Sequence, residues 1–408
     1  MKSSYNTLII GAGLSGLACA AKCQRQGVDF LLIEKQSRLG GRVGSIMQDG
    51  FVLDLGFQVY NTSYSATNEL LGQAQVDYLR FQPGAAVHIN GKFKVLSDPF
   101  RDPASLFQTL TFPKATLMDK WKVQKLRQAL AGFDPGRCPE DRTSTADYLQ
   151  NCGFSQTFID YFFRPFFSGV FLENELSTAS QFFKYVFSSF NRGYASLPAQ
   201  GMQEVPDTMA REIDPQRLLL NTSVECLLPN KQIRLGDGRV LGYEHLVLTG
   251  ESVQLSSPYK YEYHPVCTLY YATSVEALYR NYIHLFPEDD LLNHVAFVSA
   301  IAPGYAPPQE TLLSVSVLGD ATHSATLEAE IASRLSHFYG GTPKHYRLIH
   351  NFNFRKGTLS QKPGFFSDTK PSHPEVIFAG EYFLNGSIEG AVQSGLNAFA
   401  TLQQRSRN

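Results

Sequence analysis

The sequence predicts the α/β class: a doubly wound parallel sheet interleaved with a second, α+β domain. Three observations predict it. A short apolar run, Thr7 to Ile10, ends in Gly11-x-Gly13-x-x-Gly16. A second glycine pair closes on arginine at Arg38-Leu39-Gly40-Gly41-Arg42. Near the other end, the strand-like Val376-Ile377-Phe378-Ala379 runs into Gly380-Glu381 and a helix-like segment from Gly386. At 408 residues the chain has room for two or three domains and at least one large core.

The first element is the strand over Thr7 to Ile10. Small and apolar residues from Leu17 to Gln26 suit a packed helix, which Gly27 stops. Phe30-Leu31-Leu32-Ile33 then reads as a second buried strand, closed by Glu34, so strand, glycine turn, helix and strand fit one βαβ unit. The three glycines serve different ends. Gly11 permits the tight turn, Gly13 lets backbone approach a pyrophosphate, and Gly16 lets helix and strand pack closely. The helix N-terminus faces the phosphates. Glu34 lies about 20 residues beyond Gly11, where a carboxylate accepts bonds from an adenosine ribose. Agreement of strand, helix, spacing and acid points to dinucleotide binding.

The next glycine pair, Gly40-Gly41, permits another close approach of backbone, and the guanidinium of Arg42 can grip phosphate oxygens in a fork. It is followed by Phe51-Val52-Leu53-Asp54-Leu55-Gly56-Phe57. At the far end, the helix opening at Gly386-Ser387-Ile388-Glu389-Gly390-Ala391 presents backbone donors and a positive dipole end, suited to a ring carbonyl or to negative charge on a reduced cofactor.

Between these motifs, Leu218 to Val224 and Gln232 to Leu248 read as short strands with a turn at Asp237-Gly238. Residues 81 to 196 are helical in pattern; Thr143 with Asp147 opens one helix in a capping arrangement, and an aromatic run spans Phe158 to Phe171. Phe158 to Phe167 reads either as a packed helix end interrupted by Pro165 or as the wall of a lipophilic channel or membrane contact. Residues 256 to 344 carry strands around Thr268 to Tyr271 and Leu312 to Leu318, then a helix from Ser324 to Phe338. No internal repeat is visible.

Composition excludes several classes. Lys plus Arg total 36 against 37 Asp plus Glu, a formal charge of −1 without any basic run, so nucleic acid is not expected as a partner. The six cysteines show neither zinc spacing nor a disulfide framework and fit a reducing cytosol; no metal is expected and a cytoplasmic location is. The ten histidines fall in no nucleophile or metal pattern, and His264 reads as structural. Lys2, the apolar Leu8 to Leu17 and Ala18-Cys19-Ala20 imitate a secretory leader, but cleavage there would discard the glycine loop. No stretch reads as a membrane span. Thirty Phe, 20 Tyr and one Trp either fill cores or line a cavity for a large flat ligand.

These motifs resemble, over nearly the whole chain, the family of flavin-containing amine oxidases, protoporphyrinogen oxidases and carotenoid (phytoene) desaturases. Arg38-x-Gly40-Gly41-Arg42 is similar to the family's extended flavin motif, Gly380-Glu381 through Gly395 to its C-terminal one, and Leu197-Pro198-Ala199-Gln200-Gly201-Met202 to the segment returning the chain to the flavin domain. The resemblance implies a Rossmann-type FAD-binding domain from residues 1–80, 197–255 and 345–408, with a substrate domain from 81–196 and 256–344. It implies FAD contacts at Gly11, Ala12, Gly13, Leu14, Ser15, Gly16, Glu34 and Lys35. Further contacts fall at Gly41, Arg42, Gly56 and Phe57, at Val224 through its backbone to adenine, and at Gly380, Glu381, Ile388 and Ala391. FAD is expected to be non-covalent, because the last cysteine is Cys267 and none lies in the C-terminal motif.

Two features of the amine-oxidizing relatives are missing. Their lysine near flavin N5 has no counterpart in Pro265-Val266-Cys267-Thr268-Leu269-Tyr270-Tyr271, and one of their two sandwiching aromatic rings falls at Ser387. The resemblance therefore implies an FAD-dependent oxidase or dehydrogenase removing hydride from a carbon of a large, apolar small-molecule substrate, like the protoporphyrinogen oxidases or desaturases, with oxygen or a quinone as electron acceptor. An amine oxidase and a catalytically silent flavin carrier are the alternatives. Peripheral membrane contact is compatible with such a substrate. No catalytic residue is named; Tyr60, Tyr382 and Asn385 border the flavin motifs, and Tyr382 and Phe383 are placed to face the ring.

Overall fold

The computed structural model describes residues 2–72, 76–138, 141–257, 260–320, 325–368, 370 and 372–407. Its first sheet has the order Leu218–Leu219, Phe30–Ile33, Ser4–Ile10, Val240–Thr249, Gln232–Leu235, Val224–Leu228, and Val376–Ala379 also pairs with Val240–Thr249. Pairing around Ser4–Ile10 is parallel on both sides. A parallel sheet is covered on both faces, which explains why Phe30–Ile33 is buried at every position. Ile9, Phe30 and Leu32 join the helices Leu14–Arg25 and Ile388–Arg405 on one face. Leu8, Ile10, Leu31 and Ile33 pack on the other.

The helix after the glycine loop starts at Leu14, earlier than the expected Leu17, because Gly13 serves as its N-cap and its carbonyl already accepts the Leu17 N–H at 2.9 Å. The expected strand from Leu218 to Val224 is broken: Leu218–Leu219 pairs with Leu32–Ile33, Asn221 turns with φ of 52°, and Val224–Leu228 pairs antiparallel with Gln232–Leu235.

The second sheet has the order Arg347–Leu359, Tyr263–Thr273, Thr311–Leu318, His294–Ala296, Ile283–Leu285, Gly84–Ile89, Lys92–Ser97. Arg347–Leu359 therefore sits in this sheet, not on the flavin-domain side of a boundary at 345; its thirteen residues find their pairing partner in Tyr263–Thr273. The chain returns to the first sheet at Val376. Helix Ala325–Tyr339 covers one face of the second sheet; Ser324, its expected start, lies outside the described residues.

The helical insertion departs from expectation in detail only. The cap is Ser144, not Thr143: its hydroxyl accepts the Asp147 N–H at 3.0 Å and donates back to Asp147 at 2.7 Å. The aromatic run is core. Phe158, Phe163 and Phe167 are at most 2% exposed and pack with Phe171 and Phe183. A π-helical turn at Ile159–Phe163 sets this register, and Pro165 follows it directly in the first turn of helix Arg164–Phe171.

Candidate functional site

The glycine loop is shaped by close approaches that exclude other residues. Gly11 has φ of 98°, and a Cβ on Gly16 would lie 1.9 Å from the Gly11 carbonyl oxygen. Gly13 is different. A Cβ there would meet nothing within 4 Å, so the space before the helix N-terminus is open. Leu14 and Ser15 form the first turn of that helix. Glu34, 7% exposed, accepts the Ala12 N–H at 2.7 Å through one oxygen and the Gln36 N–H at 2.9 Å through the other. A carboxylate has about four acceptor positions, so lone pairs remain for two ribose hydroxyls. Thr222 donates its N–H to the Glu34 carbonyl, which brings Val224, two residues on, to the same end of the sheet. The Lys35 ammonium is ion-paired with Glu251 at 3.0 Å, and Lys356 joins the same carboxylate. Lysines on both sides hold the Glu251 carboxyl down at about 2.

The second motif folds onto the first. Gly40 donates to the Ala12 carbonyl at 2.8 Å, and a Cβ on Gly41 would come within 3.2 Å of the Gly13 Cα. Arg42 is ion-paired with Glu381, so the second and C-terminal motifs meet. Gly380 donates its N–H to Ser394 at 3.0 Å, and Gly395 lets the last helix approach so closely that a Cβ there would lie 2.1 Å from the Ser15 carbonyl oxygen. Ile388 and Ala391, in the first turns of that helix, are half-buried beside the same apolar cluster. All three motifs thus converge on the open end of the helix that starts at Leu14.

Across from Gly56 and Phe57 stands the second sheet. Along Tyr263–Thr273, Cys267, Leu269 and Tyr271 turn to the core under helix Ala325–Tyr339, leaving His264, Val266, Thr268, Tyr270 and Ala272 on the other face. That strand has no lysine; Lys356 of the paired strand Arg347–Leu359 is ion-paired with Glu251. A Cβ added at Gly56 would meet Phe354 at 3.4 Å and the Thr268 hydroxyl at 3.7 Å, and the Tyr270 hydroxyl donates to the Asp54 carbonyl at 3.1 Å. Thr268 pairs directly with Ser316, and Ser316 with His294, so three buried polar side chains stand in one row across the sheet. Thr268 Oγ1, Ser316 Oγ and His294 Nε2 have no hydrogen-bond partner among the described residues. The His294 ring lies 4.7 Å from Phe57. Its Nδ1 pairs with Asn293 Oδ1 at 2.8 Å, which makes Nε2 the free acceptor, and burial pushes the ring down to about 4, so it is neutral. Composition and motif reading miss this row, because serine and threonine in a strand carry no signature; only strand register brings the three together.

The neighbouring candidates are all engaged by partners within the protein. Tyr60 is fully buried, stacks on Tyr78 at 4.2 Å and donates to Asn68 at 2.6 Å. Tyr382 stacks on Tyr261 at 4.0 Å and donates to the Ala379 carbonyl at 2.8 Å. Asn385 accepts the Ser387 hydroxyl at 2.6 Å, and Ser387 caps the last helix, with the Tyr185 hydroxyl 3.3 Å away. The amide nitrogen of Gln361, buried beside Gly386, has no partner among the described residues. Asp54 is buried at the seam between the sheets; Ser45, the Met202 N–H and Tyr305 all donate to it, yet burial prevails and pushes its carboxyl up to about 6.

This site fits a dinucleotide: open space over Gly13, unused lone pairs on Glu34, a helix N-terminus for the pyrophosphate, and unpaired polar atoms where a ring system would end. Among the described residues no group of His, Cys, Asp or Glu is arranged to hold a metal ion, and no helix is long and apolar enough to cross a membrane. A separate cavity of about 500 Å³ is lined by His88, Glu288, Arg334 and Phe338 and by no residue of these motifs.

Comparison with known proteins agrees in fold. A redesigned triple mutant of putrescine oxidase superposes with a TM-score of 0.77 over 98% of this chain and 99% of its own, at 16% identity. Short stretches match curated proteins. They include a possible lysine-specific histone demethylase 1 of Drosophila melanogaster (33% over 72 residues, 18% of this chain) and a 4,4'-diapophytoene desaturase of Staphylococcus haemolyticus (33% over 107 residues, 25% of this chain). These stretches span only 8% and 21% of those relatives. A family model, by contrast, matches residues 14–401, and on that match the chain belongs to the flavin-containing amine oxidoreductases.

Proposed function

We propose that the chain is an FAD-dependent oxidoreductase that removes hydride from a carbon of a bulky, largely apolar substrate and holds its FAD non-covalently. The observation that carries this reading is strand Tyr263–Thr273, whose Val266 and Thr268 stand opposite Gly56 and which has no lysine, while Lys356 on the neighbouring strand is ion-paired with Glu251. Bound FAD would supply the hydride acceptor, chemistry that no side chain provides. The chain's own residues bind and orient. The Gly13 backbone and the helix N-terminus would receive the pyrophosphate, Glu34 the adenosine ribose, and Arg42 with Glu381 the middle of the cofactor. The N-terminus of helix Ile388–Arg405 places its positive end where negative charge develops. Phe57, Phe352 and Phe354 exclude water from the reacting face. Thr268, Ser316 and His294 supply hydrogen bonds to a neutral polar group of the substrate; the row has no carboxylate to offset a buried ammonium, which weighs against a small charged amine. Cys267 faces away from this side, supporting non-covalent binding.

The purified protein should be yellow, and acid should release one FAD per chain; colour that stays with the precipitate would refute non-covalent binding. Anaerobic flavin reduction is then compared for benzylamine, a polyamine, a porphyrinogen and a carotenoid precursor. Reduction by the apolar pair is expected. Rapid reduction by either amine with none by the other two would make the chain an amine oxidase, and no reduction by any reductant would leave a flavin carrier. Oxygen and a quinone are tested as acceptors in the reoxidation half of the same experiment.

A further inference from the structure

Large apolar side chains are buried almost everywhere in this protein, and the exceptions concentrate in one place. Phe100, Phe107, Leu110, Leu117, Met118 and Trp121 are each 51 to 76% exposed, although only 22 residues of chain contain them. They form one surface. Lys120 donates its ammonium to the Leu110 carbonyl at 2.7 Å, tying the short helix Leu106–Leu110 to helix Leu117–Ala129. On that second helix Leu117, Trp121 and Lys125 follow at four-residue spacing, with the Lys125 ammonium 3.8 Å over the Trp121 ring. Patches of this kind on a protein surface mark an interaction site.

The charge around the patch selects its partner. Four lysines fall in the same stretch: Lys125 is exposed, and Lys114, Lys120 and Lys122 are half-buried, with Lys114 lying 4.1 Å over the Tyr161 ring and Lys122 donating to the Gly153 carbonyl. The carboxylates of the same stretch turn inward: Asp119 accepts from Thr116 and from the Ser155 N–H at 2.8 Å, and Asp102 takes the Ser97 and Tyr282 hydroxyls. A two-fold dimer through this face would set the lysines of one copy against those of the other. An apolar centre with a tryptophan and lysines in the same stretch instead matches the interface of an anionic bilayer, apolar groups entering the acyl boundary and ammoniums resting on the headgroups.

We infer that residues 100–125 form a peripheral membrane-docking surface for anionic lipid. Its position relates it to the site: Arg127, at the end of the same helix, donates to Asn191 on helix Ser180–Arg192, whose Tyr185 reaches Ser387. Docking there would bring the helices that lead to Ser387 close to lipid, where a bulky apolar substrate resides. Within the aromatic run, Phe158, Phe163 and Phe167 are core, while the half-buried Tyr161 lies under the Lys114 ammonium at 4.1 Å.

The test is flotation of the full, FAD-loaded chain with vesicles of phosphatidylcholine alone or with about 30% phosphatidylglycerol. One lysine near an anionic surface contributes roughly a factor of five, so the mixed vesicles should bind at least about tenfold more protein. A Phe107→Ser, Leu117→Ser, Trp121→Ser variant should lose binding to both while keeping its FAD and circular dichroism. Lys114→Glu with Lys125→Glu should remove only the preference for anionic lipid. Equal binding by wild type and the serine variant overturns the inference, as does no binding to either vesicle. A lipid-free dimer that the serine variant abolishes would assign the patch to self-association instead. Flotation counts protein whatever its flavin does, so failure here leaves the proposed chemistry standing, and a colourless protein that still floats would refute that chemistry alone.

Discussion

The two sheets bury their residues differently. In the first, both faces are apolar and the special positions are glycines, of which Gly16 and Gly395 are fixed by a backbone that passes within van der Waals contact while Gly13 faces open space. In the second, one face is apolar against helix Ala325–Tyr339, while the other carries Thr268, Ser316 and His294 with unpaired polar atoms. Each such atom costs about 1 to 3 kcal/mol when left without a partner. The first sheet is therefore organised for stability around a cofactor's backbone contacts, and the second accepts a cost at the face where a substrate would pair with it.

The sharpest way to break this comparison lies within the glycine loop. Gly16→Val should abolish folding, since its Cβ alone would overlap the Gly11 carbonyl; soluble protein with a cooperative melt would contradict the packing described here. Gly13→Val should fold, because its backbone is extended, with φ of −68° and ψ of 176°, and its Cβ meets nothing. FAD affinity should nevertheless fall at least about 100-fold, measured by fluorescence on reconstitution, because the added side chain occupies the space that a pyrophosphate needs. A Gly13→Val protein that is as yellow as wild type would remove this opening from the cofactor site.

Asp54 joins the two sheets and gives a pH-dependent test. Its folded carboxyl titrates near 6, above its ordinary 3.8, so the native state holds the proton more tightly than the unfolded chain. Stability from this group is complete below about 4 and is lost as pH rises through 6, a change of about 3 kcal/mol. Asp54→Asn does not titrate; its melting temperature relative to wild type should rise between pH 4 and pH 7 and stay level above. A constant difference would mean that the carboxyl is already ionised at low pH. The smallest effect belongs to Thr268→Val, which removes an unpaired hydroxyl and should stabilise the substrate-free protein by about 1 kcal/mol. Destabilisation of that size would show that the hydroxyl has a partner.

The parts of this fold that sequence reveals are those with local causes. The βαβ unit, the glycine pair and the last strand and helix each depend on residues a few positions apart, and Phe30–Ile33 reads directly as a buried run. Three features lie beyond that reach. Arg347–Leu359 has flavin-domain neighbours in sequence, whereas its pairing partner is about 85 residues earlier. The polar row needs the register of three strands. Glu389 looks like part of a flavin motif, yet its carboxylate accepts the Ala66 N–H at 2.7 Å and the Thr67 N–H at 3.0 Å, capping the helix Ser65–Leu71 from the opposite end of the chain.

That last contact bears on the order of events during synthesis. Helix Ile388–Arg405 packs on Leu14–Arg25 through Gly395 and closes the helix at Ser65 through Glu389, while Val376–Ala379 completes the first sheet. A ribosome that has made the first 370 residues has already extruded the glycine loop, but without the elements that lie against it. The nucleotide-binding half is thus finished last although it is begun first, and for most of translation its loop and helix wait with an apolar face uncovered, the interval in which a chaperone would be most needed.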